Sequence, residues 1–369
     1  MSSEQTELDV NASILRHIGM IKPWIPQRVV VSIGEYASEV LANVNFKEKE
    51  VSTLLVRKAT HATSPKSGSS NLFEIDEKAD MHYWFNVQQK LSDNEAFREK
   101  LKNKTPDRNG SGIVAAATGD GVGSFLLPEI ASRLKDQSVY STGFVILPSQ
   151  LQPPDAFFNA LWSMGKCKEK GIPQILMDRD GLEDYIGVDR KGFVLKGDGV
   201  FGYLLGLVLD KEFVVQEINE LSNSYNVSTF TILAATGASL KVHGSLENIL
   251  NTTLMKPFSS FDLSSSTVLY VVIRMPNQLQ RKLSRGSIEL AINKWFKDKA
   301  NLKSAIVSDP LYVNDGGDRI DVIMFVGGFD LTKTVSSIET KVKDIVGYAV
   351  KNSLVEEKEW RELVEKLRS

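Results

Sequence analysis

The sequence predicts an α/β protein: a doubly wound, Rossmann-like parallel sheet, then a long central helix, then a second α+β domain. Three observations carry that expectation. Apolar strand-like runs alternate with helix-like stretches through the first half, the order that yields a parallel sheet with helices on both faces. The apolar run Ile113–Ala117 enters the turn Thr118-Gly119-Asp120-Gly121-Val122-Gly123 and leaves it as an apolar helix through Ile130 and Leu134. From Asp198 to Ser224 no proline interrupts a helical stretch, and beyond it the alternation changes character.

Taken in order, Leu8–Ile21 has helical apolar spacing and ends before Pro23. Val29–Ile33, Glu35–Val44 and Val51–Arg57 read as strand, helix and strand, followed by a Ser, Thr and Gly loop at 62–70. A helix is expected from about His82 to Lys102. Past the glycine turn and its helix come a strand at Gly143–Leu147, a helix at Ala156–Lys170 and a strand at Gln174–Met177. The second half offers strands Val268–Ile273, Ser304–Val307 and Asp321–Val326 and a helix at Ser287–Lys299. Ser353-Leu354-Val355-Glu356 matches a capping box, and behind it Trp360, Leu363, Val364 and Leu367 share one helical face. That stripe suits a helix docked on its own domain or on a partner helix. The expected division is an N-terminal helical extension (1–25), a first α/β domain (26–197), the central helix (198–224), a second α+β domain (225–333) and a C-terminal helical segment (334–369).

With 369 residues, 42% of them hydrophobic, the chain can bury a large core. A net charge of −2 argues against nucleic acid as the main partner, because phosphate backbones are held by clustered Lys and Arg. The single cysteine, Cys167, excludes a disulfide framework, and its place beside Leu161 and Met164 reads as packing. The four histidines lie far apart without metal-ligand spacing, and no carboxylate–histidine constellation stands out. The polar, acidic start is unlike a signal peptide, and no apolar run approaches the roughly 20 residues of a transmembrane helix. The expectation is a cytoplasmic protein with no transmembrane segment.

The glycine turn is the chemically suggestive element. Glycines let backbone N–H groups close on a ligand, and a helix N-terminus adds partial positive charge there. Together they make a phosphate cradle that needs few basic side chains. Such a turn more often serves only to join a strand to a helix. Its spacing is G-x-G-x-G, with Ser124 where G-x-G-x-x-G has its third glycine, and it follows more than a hundred residues rather than the first strand.

These residues resemble the tubulin/FtsZ superfamily, whose phosphate loop reads G-G-G-T-G-[ST]-G. Thr118-Gly119-Asp120-Gly121 matches it, with Ala115-Ala116-Ala117 in place of three glycines and Asp120 in place of the hydroxyl residue. Gly121 to Leu126 is similar to the tubulin continuation G-M-G-T-L-L. Other stretches resemble the family in its own order: Val29–Gly34, Val145-Ile146-Leu147-Pro148-Ser149, Ile175–Leu182, Lys256-Pro257-Phe258 to Ser264, and Ser308-Asp309-Pro310. The likeness runs from Arg28 to Leu331 and is that of a divergent FtsZ-like or CetZ-like protein.

The resemblance implies GTP or GDP, with Mg²⁺, held by Gly34, Ala116, Ala117, Thr118, Gly119, Asp120, Gly121, Val122, Gly123 and Arg179. It also implies head-to-tail self-association, or assembly with a related filament protein. In the family, carboxylates in a loop after the central helix, N-x-D-x-x-D, enter the next subunit's site and polarise the attacking water. Asn226-Val227-Ser228-Thr229-Phe230-Thr231 is aligned with that loop, so Ser228 and Thr231 stand where acids are needed and little or no hydrolysis is expected. Glu35 and Tyr36 in the first turn, and Arg179 in place of an asparagine, depart from the family pocket as well. The alternative is a nucleotide-free pseudo-GTPase that regulates another filament.

Overall fold

The structure is a computed structural model describing residues 28–368, apart from 43, 45–50, 59–71, 76–79, 92–93, 97–98, 100–102, 104–109, 138, 298 and 301. The expected leading helix and the 62–70 loop lie outside the described residues. The chain opens with β1 (Arg28–Ile33), α1 (Glu35–Ala42), β2 (Val51–Lys58), β3 (Leu72–Ile75) and α2 (Trp84–Leu91). β4 (Ser111–Ala117) then leads through the glycine turn into α3 (Gly121–Asp136). β5 (Tyr140–Leu147), α4 (Pro154–Glu169), β6 (Gln174–Asp178) and α5 (Arg179–Asp184) complete the alternation.

Strands β6, β5, β4, β1, β2 and β3 lie side by side in that order, all parallel. Valines and alanines with both faces buried make this reading natural. Val40 and Leu41 of α1 pack with Val30, Ile113 and Ala115 on one face. Helices α3 and α4 pack with Val29, Val31, Val114 and Ala116 on the other. The connections therefore leave β1 and β4, which are neighbours, toward opposite faces, making their carboxyl ends a topological switch point, where open α/β sheets hold ligands.

Beyond a hairpin, β7 (Ile186–Val188) and β8 (Val194–Lys196), the expected single central helix is two: α6 (Asp198–Asp210) and α7 (Val214–Tyr225). Asp210, Lys211 and Glu212 follow one another where continued helix would turn at least one charge into the apolar interior. The chain instead breaks, with Phe213 in the left-handed region at φ 68°. Next comes β9 (Thr229–Ser239), a strand that sequence patterning missed because all eleven residues are buried and show no alternation. Short helices α8 (Leu240–His243) and α9 (Leu246–Thr253), then β10 (Val268–Pro276), α10 (Arg285–Lys297), β11 (Ser304–Val307), β12 (Leu311–Val313) and β13 (Arg319–Gly327) follow. β9 joins β6 in parallel, so the sheet continues as β9, β13 and β10 in antiparallel pairs. Finally α11 (Thr332–Lys351) and α12 (Glu357–Arg368) lie on α4.

Candidate functional site

At the switch point, Gly34 follows β1 with φ +84° and donates its N–H to Val56 O at 2.8 Å. A side chain there would be strained, and its first carbon would meet the Asp120 carboxylate at 3.4 Å. Asp120 caps α3, its carboxylate accepting the Gly123 N–H at 2.6 Å. The carboxyl is open to solvent at its surface but sunk among protein atoms. Desolvation pushes it above the ordinary carboxylate range, against the opposing pull of the Gly123 N–H, the Lys58 charge and the Val122 N–H. The chain thus places its own carboxyl group at the helix N-terminus where a phosphate was expected.

The other expected residues divide. Thr118 turns inward, its N–H and hydroxyl both donating to Ile146 O, at 3.0 and 3.3 Å. Ala116 is fully buried in β4, set back from the turn, which corrects its assignment as a lining residue. Ala117 ends the strand and lends its carbonyl to the underside of Gly123, where any added methyl would collide with it. Gly121 lies against the backbone of residues 81–83, with the Tyr83 carbonyl 2.7 Å from where a Cβ would stand. Gly119 has only ordinary contacts, 3.4 Å to Ala156 and Gln152. Arg179 joins the group from the end of β6: its guanidinium lies 4.8 Å from the centre of the Tyr36 ring, and its Nε donates to Glu183 at 2.8 Å. Beside it, burial pushes Asp178 up to about 6, with the Ser260 N–H opposing and Asp180 adding to the rise.

A strap, residues 80–84, crosses the glycine turn. Fully buried Asn159 of α4 holds it, donating to His82 O at 2.9 Å and Gly119 O at 3.3 Å and accepting the Trp84 N–H at 3.1 Å. The His82 ring bonds the Asp155 carboxylate. This carboxylate–histidine pair was not legible in the sequence, since its members are 73 residues apart. Among the described residues no group of three or more metal-ligating side chains gathers.

The catalytic-loop assignment needs correcting. Asn226 ends α7 in the left-handed region (φ 54°), but Ser228 leads directly into β9 and its carbonyl accepts from Gln174. Thr231 is inside that strand, 1% exposed, its hydroxyl on Leu176 O at 3.0 Å and on Ser259 at 2.5 Å. Strand pairing removes it from any surface a second subunit could touch. The loop that follows the first long helix is the elbow at 211–213, where Glu212 is exposed and Phe213 is 44% exposed. The run of three charges was the signal that could have marked it.

The C-terminal stripe also resolves. Trp360, Leu363, Val364 and Leu367 are buried on the chain's own α4, with Trp360 stacked on Phe158 at 4.9 Å and Leu363 filling the notch left by Gly165. They are therefore not available for a partner helix. Among the described residues no helix is long and apolar enough to cross a membrane.

No family profile and no curated protein sequence matches the chain. Solved structures do. CetZ from Methanosaeta thermophila superposes with a TM-score of 0.68 at 15% identity, covering 93% of this chain and 98% of that one. A GTPγS-bound protofilament of CetZ2 from Haloferax volcanii gives 0.66 at 17%, covering 88% and 99%. An empty FtsZ dimer from M. jannaschii gives 0.59 at 13%, covering 90% and 94%. The fold is that of the tubulin/FtsZ superfamily.

Proposed function

We propose that this chain is a cytoplasmic tubulin/FtsZ-like filament protein that binds guanine nucleotide weakly, assembles head to tail and hydrolyses GTP slowly. The observation that carries it is the glycine turn at the switch point, in a fold whose solved neighbours include a GTPγS-bound protofilament. Residues 26–197 serve as the nucleotide-binding domain and 225–333 as the second domain. The phosphates lie against the turn at residues 119–123, with Gly34 and Arg179 at the rim. Binding is weak because a phosphate must displace the Asp120 carboxylate from Gly123, or share it through Mg²⁺. Hydrolysis is slow because the elbow Asp210-Lys211-Glu212-Phe213-Val214-Val215, set against N-x-D-x-x-D, keeps one acid at Glu212 and has buried Val215 at the second position.

Chromatography of the small molecules released by denaturing purified protein tests the reading, together with calorimetry of Asp120→Asn. Removing one charge about 4 Å from phosphate in a partly solvated site is worth about 1 kcal/mol or more, so affinity for GDP should rise roughly tenfold. The same Asp120 supports a second reading, a nucleotide-free pseudo-GTPase that regulates another filament protein. Absence of nucleotide from the parent, with no binding gained by Asp120→Asn, would leave that one standing.

A further inference from the structure

A buried charge relay connects the elbow to the far half of the sheet. Asp321 of β13 is 0% exposed. Opposite it, β9 carries a bulge: Val322 pairs with Ala235 and Ile320 with Ala238, so Thr236 and Gly237 face the single residue Asp321. The bulge aims the Gly237 N–H at the Asp321 carboxylate, 2.7 Å away. Across the other ladder Asp321 is the direct partner of Arg274 in β10, an opposite-charge cross-strand pair. The guanidinium uses its whole fork. Nε donates to Asp321 at 2.9 Å, Nη2 to the Tyr203 hydroxyl at 2.8 Å, and Nη1 to Asp210 at 2.9 Å. Tyr203, from α6, closes the circuit by donating to Asp321 at 3.0 Å. The inner pair is thereby fully hydrogen-bonded, the condition under which a buried ion pair is tolerated. Asp210, the last residue of α6, is the outermost member, its side chain 31% exposed.

We infer that Arg274 is a positioning residue for the elbow: through Asp210 it fixes where α6 stops, and so where Glu212 and Phe213 project. Two features point this way. The break has no proline or glycine to cause it, and Phe213 holds a left-handed backbone, which costs an L-residue about 1–2 kcal/mol and persists only when surrounding contacts impose it. The Asp210 tether and the Arg28 guanidinium on the Leu209 carbonyl on one side, with the buried Val214 and Val215 on the other, are among those contacts. A lysine at 274 could not replace the planar fork that reaches three groups at once. The consequence for assembly rests on the proposed head-to-tail reading: a loosened elbow presents its carboxylate to the next subunit in many poses.

Asp210→Ala is the test, because it removes the acceptor and so cuts the tether while leaving the buried Arg274–Asp321 pair intact. Hydrogen exchange at the amides of 211–214 should accelerate roughly tenfold while the core of β10 and β13 stays protected. Asp210→Glu should restore the slow rate. Parent-like exchange at 211–214 in Asp210→Ala would overturn the inference, whatever the protein binds. In sedimentation with GTP, the same variant should need a several-fold higher concentration to assemble. If the parent itself never assembles, the head-to-tail reading fails and the exchange measurement still decides the relay.

Discussion

The glycine turn and the elbow both bend the chain sharply, and they do it with opposite kinds of residue. In the turn, Gly121 and Gly123 are required by their neighbours: the 81–83 backbone and the Ala117 carbonyl leave no room for a methyl. Their presence is explained before any ligand is considered. In the elbow, a phenylalanine takes the left-handed backbone that a glycine would adopt without strain. What differs is where an explanation is still owed. It is owed at Gly119, which nothing crowds; at Phe213, which nothing local favours, the Asp210 tether and the buried Val214 and Val215 supply it. A glycine motif can thus outlast its ligand as packing, whereas a strained aromatic at an exposed bend has no such refuge.

Four substitutions break or sharpen this contrast. Gly123→Ala should cost roughly 3 kcal/mol in urea unfolding, since strand and helix must separate to admit the methyl. Gly119→Ala should stay within about 1 kcal/mol of the parent and act, if at all, on nucleotide affinity. Equal losses at the two positions would erase the distinction within the turn. At the elbow, Glu212→Gln keeps shape but removes the ionisable oxygen. Phosphate release should fall on the order of 10²-fold with unfolding unchanged. A rate equal to the parent's would remove Glu212 from any catalytic part. The smallest effect is Phe213→Gly, which should stabilise the monomer by about 1 kcal/mol by relieving the backbone while weakening assembly. Destabilisation instead would mean that the ring earns its place by packing.

The sequence made the parallel half of the sheet legible because its signals are local: apolar runs in Val29–Ile33 and Gly143–Leu147, and a turn whose glycines announce a strand-to-helix junction. It hid β9 because Ile232-Leu233-Ala234-Ala235 is buried on both faces and lacks a period of two. It hid the elbow because neither proline nor glycine marks it, and the cause, Arg274, is 64 residues from Asp210. The stripe of Trp360, Leu363 and Leu367 was visible, but its partner was set by Gly165, whose missing side chain is meaningful only once α4 is alongside. At the candidate site, the turn itself could be read. That Asp120 would bond back to Gly123, and that His82 would meet Asp155, depended on contacts no spacing reveals.

The union of β6 with β9 has a mechanical meaning. The two halves share a seam of three register pairs, Gln174–Thr229, Ile175–Phe230 and Leu176–Thr231, whereas β4 and β5 share seven. Under bending load a short zipper yields before a long one. In the head-to-tail string proposed above, any bend taken up within a subunit would be recorded in the spacing of those three pairs.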